Sequence, residues 1–130
     1  MTFTTVSTAH APAPVGSYSQ GRRIGPFLQV CGQLAADPVT GAIRDATAGP
    51  QTRRVLEQVG AVLAAGGAGW DDVLMVRVHL ADDADFDEMD AAYREVLGEP
   101  FPPRTTVTAG LAPGARVEID ALAVVDRARP

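Results

Sequence analysis

Arg104 follows Phe101-Pro102-Pro103 and opens a short run of β-favouring residues, Arg104-Thr105-Thr106-Val107-Thr108. Two prolines fix the chain before it and donate no ladder hydrogen bonds, so the arginine stands at a sheet end or edge. A guanidinium there presents a planar fork that matches a carboxylate through two parallel hydrogen bonds. An exposed arginine, or an ordinary ion pair with one of the 16 acidic residues, is the competing reading. Glu118 and Asp120 share one face of the last strand-like run, opposite Val117 and Ile119. A carboxylate pair near an arginine can orient a water; the same pair can simply be solvated. Tyr18 sits in Gly16-Ser17-Tyr18-Ser19-Gln20-Gly21, between turns, where a phenol can line a cleft or lie on the surface. Cys31 and Gly32 fall mid-run in an apolar segment. A buried, inert thiol is the default there, and the glycine can mark close approach of a ligand to backbone.

Other chemistries are excluded by what is missing. The chain has no lysine among its 11 basic residues, so Schiff-base and phosphate-loop mechanisms are absent. No GxSxG elbow and no GxGxxG fingerprint occurs. His10 and His79 are isolated and a single cysteine makes no zinc knuckle, so no metal site is expected. The net charge of −5, without a basic run, argues against nucleic acid as a partner. A lone cysteine, no secretory leader and no apolar run of membrane-spanning length give a cytoplasmic expectation, with no membrane partner.

The elements that must hold these residues follow from periodicity. Residues 3–9, 17–23 and 27–34 read as strands, with Asp37-Pro38-Val39-Thr40-Gly41 as a turn. Residues 47–65 read as a helix with Val55, Leu56, Val59, Val62 and Leu63 inward, ended by Gly66-Gly67. In residues 73–80, Leu74, Val76, Val78 and Leu80 make one apolar face. A second helix spans 85–97, with Asp85 and Glu88 spaced as a capping box and Phe86, Met89, Tyr93 and Val96/Leu97 as its stripe. Strands at 104–108 and 117–125 complete the order β-β-β-α-β-α-β-β, and residues 127–130 look dispensable. This is an α+β pattern in one 130-residue domain: a mixed six-stranded sheet with both helices on one face. The uncovered face calls for self-association.

Five segments, in this order, resemble the Rid (YjgF) family of reactive-intermediate deaminases: Pro14-Val15-Gly16-Ser17-Tyr18-Ser19-Gln20-Gly21; Cys31-Gly32-Gln33-Leu34 with Asp37-Pro38-Val39-Thr40-Gly41; Gln51-Thr52-Arg53-Arg54-Val55-Leu56; Pro102-Pro103-Arg104-Thr105-Thr106-Val107; and Val117-Glu118-Ile119. The match runs from about residue 5 to residue 126, and the combination is specific. The resemblance implies a chorismate-mutase-like fold, a homotrimer with clefts between subunits, and no cofactor. It implies hydrolysis of 2-iminopropanoate, 2-iminobutanoate and related enamine acids to 2-keto acids and ammonia. By the same resemblance Arg104 binds the substrate carboxylate, Glu118 positions the attacking water, and Tyr18, Gly32 and Thr106 line the cleft. Cys31 stands where the family commonly has serine, and Asp90 where active deaminases often have asparagine. Asp90 would set a negative charge near an anionic substrate, narrowing its range or favouring an aminated group. Two alternatives stand beside the deaminase: a non-enzymatic trimer that binds a carboxylate metabolite, and a pathway-specific hydrolase of an aminated intermediate.

Overall fold

The computed structural model describes residues 2–126; the expectation for 127–130 lies outside the described residues. Six strands, β1 (Thr4–Val6), β2 (Gly21–Ile24), β3 (Phe27–Leu34), β4 (Val73–Leu80), β5 (Arg104–Thr108) and β6 (Val117–Val124), form one sheet. Its order is β1-β2-β3-β6-β4-β5. Only β4 and β5 pair in parallel; the other neighbours are antiparallel. Two helices, α1 (Ala48–Ala65) and α2 (Phe86–Leu97), pack on one face. This is the mixed six-stranded sheet with two helices that the periodicity predicts.

The core forms where the two periods meet. Val55, Leu56, Val59, Val62 and Leu63 of α1 are fully buried against Leu28, Val30, Val76, Val78, Ile119 and Ala121 of the sheet. Burying each such side chain contributes about 1.5–3 kcal/mol. α2 adds Met89 and Tyr93 to this core, but Phe86 and Val96 are 39% exposed, so its predicted stripe is narrower than expected.

Two details depart from the sequence reading. In β4 the pairing shifts between Val73 and Met75, so Val73 turns inward and Leu74, predicted on the apolar face, is 55% exposed. A bulge inserts one residue and flips the alternation beyond it. At α2, Asp85 makes no side-chain cap bond. Its carboxylate instead takes two bonds from Arg116, at 2.9 and 3.2 Å. Glu88 accepts from the Gly49 N–H at 2.8 Å, so it caps the neighbouring helix α1 rather than its own.

The face away from the helices is open. Phe27 and Val107 stand on it, 52% and 46% exposed. The same face carries Cys31, His79, Glu118 and the Arg77–Asp120 ion pair, whose Nε–Oδ1 distance is 2.9 Å. None of the described helices is long and apolar enough to cross a membrane.

Candidate functional site

The residues singled out in the sequence fall into two groups on opposite faces of the sheet. Val78 pairs with both Ile119 and Thr106, and these point to the helices; His79 pairs with both Glu118 and Val107, and these point away. Arg104, two residues before Thr106, lies on the helix side, whereas Glu118 lies on the open side. The carboxylate pair expected near an arginine does exist, but its arginine is Arg77, not Arg104.

The first group is built by the Pro102-Pro103 entry to β5 and by α2. The Pro103 carbonyl accepts from the Val76 N–H at 2.9 Å, which docks the edge strand at its first residue. The Arg104 guanidinium then reaches α2. Its Nη1 donates to Asp90 Oδ1 at 2.7 Å, and its carbon lies 4.7 Å from the Tyr93 ring centre and 5.5 Å from that of Phe86. Such contacts hold the planar fork in place. Arg94 approaches the other Asp90 oxygen at 3.6 Å. Two guanidiniums thus face one carboxylate, leaving one net positive charge beside a 250 Å³ pocket lined by Asp90, Tyr93, Arg94, Phe101, Pro102 and Arg104. Burial pushes the Tyr93 phenol up to about 12; Asp90 adds to that and Arg104 opposes it. The phenol is therefore a neutral wall. Thr106 shares this face, half-buried, outside the linings of both pockets described here.

The second group surrounds a 690 Å³ pocket whose lining includes Tyr18, Cys31, Gly32, Gln33, Ala112 and Glu118. The β3–β6 register shifts between Val30 and Gln33, which sets Cys31 and Gly32 together against one β6 position. The close approach expected at Gly32 is to a side chain. A Cβ added there would lie 2.9 Å from Cδ of Glu118, so the carboxyl group rests on the glycine backbone. Cys31 Sγ accepts from Gln33 Nε2 at 3.1 Å. Burial pushes its thiol up, the Gln33 bond opposes this, and Glu118 and Asp120 add to the rise. The thiol is held protonated, as an inert residue would be. The Tyr18 hydroxyl accepts from the Val15 N–H at 3.2 Å, folding the phenol onto its own loop at the pocket rim. Buried Gln20 pins that loop through the carbonyls of Thr8, Ala11 and Pro12. Asp37 ties the facing turn through the N–H groups of Val39 and Thr40, which hold its carboxyl down at about 2, with Arg44 adding to the effect.

Sequence reasoning set His79 aside as isolated. The structure places its Nδ1 3.8 Å from Glu118 Oε2. Only the alternation in residues 73–80 hinted at this, by setting His79 on the polar face; its partner strand was not legible. Among the described residues no group of three or more His, Cys, Asp or Glu is placed to hold a metal ion.

Residues 8–125 match the family described as Endoribonuclease L-PSP. A RutC family protein of Pyrococcus horikoshii is 41% identical over 119 residues, covering 91% of this chain and 94% of the relative. A bovine protein named 2-iminobutanoate/2-iminopropanoate deaminase is 35% identical over 120 residues, 92% of this chain and 88% of its own. RidA from an Antarctic Psychrobacter superposes with a TM-score of 0.89 at 34% identity, covering 94% of this chain and 99% of that one. Escherichia coli TdcF, crystallised with bound serine, superposes with a TM-score of 0.87 at 29% identity over 95% and 99% of the two chains. On sequence and on fold, the chain belongs to the Rid (YjgF) family.

Proposed function

We propose that the chain hydrolyses small 2-imino and enamine acids, such as 2-iminopropanoate and 2-iminobutanoate, to 2-keto acids and ammonia. The reacting cleft lies between copies of a homotrimer. The observation that carries this reading is the Arg104 cage. A guanidinium fixed by Asp90, Tyr93 and Phe86, with net positive charge beside a 250 Å³ pocket, suits a small carboxylate with a short apolar tail. The edge of the fork not taken by Asp90 receives that carboxylate, and Phe101 and Pro102 receive the tail. The relative named for this deaminase reaction supports the same class.

Glu118 supplies the water. It sits on the opposite face from Arg104, so one copy cannot present both to one small molecule; a second copy completes the site. Exposed Phe27, Leu74 and Val107 provide apolar surface for that assembly. Tyr18, Cys31 and Gly32 then come from Glu118's copy, and Asp90 and Thr106 from Arg104's. An imine carbon is already electrophilic. Holding a water about 3 Å from it, with a carboxylate as base, is the main task left to the protein. Water attacks the protonated imine, a C–O bond forms, and the C=N π pair moves to nitrogen while Glu118 takes a proton from the water. Glu118 returns that proton to the amine; the C–N bond then breaks with its electron pair leaving on ammonia, and the hydroxyl proton passes to the ammonia as the keto C=O forms.

A second reading has one specific observation behind it. The TdcF structure holds serine, so a Rid protein that stores or senses a carboxylate metabolite is the alternative. The net charge of −5 and the absence of lysine count against an RNA substrate. The test is a coupled assay in which an amino-acid oxidase makes the imine and semicarbazide traps it. The chain is expected to suppress trapping, and Arg104→Ala to abolish suppression with the circular dichroism spectrum unchanged. Parent-level suppression by that variant overturns the reading; tight carboxylate binding without suppression favours the alternative.

A further inference from the structure

We propose that His79 is a positioning residue for Glu118, fixing the carboxylate that holds the attacking water; this rests on the hydrolase reading above. The two residues are direct partners across β4 and β6 and share the open face. His79 Nδ1 stands 3.8 Å from Glu118 Oε2. That nitrogen is shut off from solvent and has no hydrogen-bond partner among the described residues. Buried polar atoms are almost always satisfied, so an imidazole nitrogen left in this state beside a carboxylate calls for a reason.

The surroundings supply one. Oε2 also lies 3.0 Å from where a Cβ on Gly32 would be, so that oxygen is close to both a glycine backbone and an imidazole. Neighbouring groups on this face are engaged elsewhere: Arg22 stacks on Phe3, its guanidinium carbon 3.9 Å from the ring centre. Arg77 and Asp120 satisfy each other at 2.9 Å, and the Cys31 thiol is engaged by Gln33. Catalytic hydrogen bonds are often long before substrate arrives and shorten in the complex. A side-chain rotation of under about one ångström brings Nδ1–H into bonding range of Oε2. Donation to Oε2 fixes the carboxylate rotamer and leaves Oε1 to accept from the water. Partners of this kind hold a reacting group in its productive orientation without touching substrate.

The experiment is steady-state hydrolysis of enzymatically generated 2-iminopropanoate by the assembled parent, His79→Phe, His79→Asn, Glu118→Gln and the His79→Phe/Glu118→Gln pair. Circular dichroism and mass confirm that each variant keeps its fold and assembly. Phenylalanine fills the space without a donor, whereas asparagine places an N–H close to where Nδ1 stands. His79→Phe is expected to lower kcat about tenfold with KM within about twofold, as loss of an orienting partner does. His79→Asn is expected to recover most of that loss, and the double variant to be no slower than Glu118→Gln alone. Parent kcat in His79→Phe while Glu118→Gln is slow overturns the role of His79 and leaves the hydrolase reading standing. Fully additive losses in the double variant do the same. Parent kcat in Glu118→Gln overturns the water-positioning role of Glu118, and this proposal with it.

Discussion

The carboxyl group of Glu118 lies on the backbone of Gly32, so close that a Cβ at residue 32 would meet its Cδ at 2.9 Å. The β3 bulge makes this possible by presenting Cys31 and Gly32 against one position of β6. Gly32 is thus a seat for the Glu118 carboxylate, which on the proposed mechanism positions the water.

That contact sets the outcome of Gly32→Ala. The new methyl cannot fit unless Glu118 swings away. On the proposed mechanism kcat is expected to fall at least tenfold, with the carboxylate anchor at Arg104 untouched and KM little changed. Kinetics on 2-iminopropanoate together with a melting curve check it; an unchanged kcat means the carboxylate has a second productive position.

Asp90 occupies one edge of the Arg104 fork at 2.7 Å. On the proposed mechanism a substrate carboxylate shares the guanidinium with it. Asp90→Asn removes the like charge, and kcat/KM for small imino acids is expected to rise several-fold, the scale of a partly exposed charge contact of about 1 kcal/mol. A fall for every monocarboxylate tested would show that the orienting hold of Asp90 on Arg104 outweighs its competition with substrate.

The Cys31 thiol is raised chiefly by burial, with Glu118 and Asp120 adding to it. Raising a thiol disfavours the thiolate, which is the reactive form. Iodoacetamide is therefore expected to leave Cys31 unmodified near neutral pH and to react only at a pH above the ordinary thiol range. Intact-mass spectra across a pH series measure this. Rapid alkylation at pH 7 would contradict it, and Cys31→Ser is expected to keep full imine hydrolysis.

Much of the fold was legible because two periods in the chain are clean. The valines and leucines of residues 55–63 recur at helical spacing, and Val117, Ile119, Ala121 and Ala123 alternate. Leu74 was misplaced because a bulge leaves no mark in an alternation that is apolar on both sides of it. The caps depart from their sequence signal for a related reason. Asp85 and Glu88 have capping-box spacing, but Arg116 and the start of α1 compete for their carboxylates from distant parts of the sequence. In the site, Arg104 stood out by its prolines, and the order of motifs pointed to Glu118, Tyr18 and Gly32. The Glu118–His79 pairing and the Arg104–Asp90 bond depend on strand register and helix placement, which no local spacing encodes.

On the proposed mechanism Arg104 and Glu118 act on one substrate from two copies of the chain. Mixed assemblies of Arg104→Ala and Glu118→Gln, made by unfolding both and refolding them together, test this. Each variant alone is expected to keep at most a small residue of parent activity. In randomly mixed assemblies about one cleft in four draws an intact Arg104 from one copy and an intact Glu118 from its neighbour, so about a quarter of parent activity is expected to return. If the two residues act within a single copy, every cleft carries a defect and the mixture stays as inactive as its components.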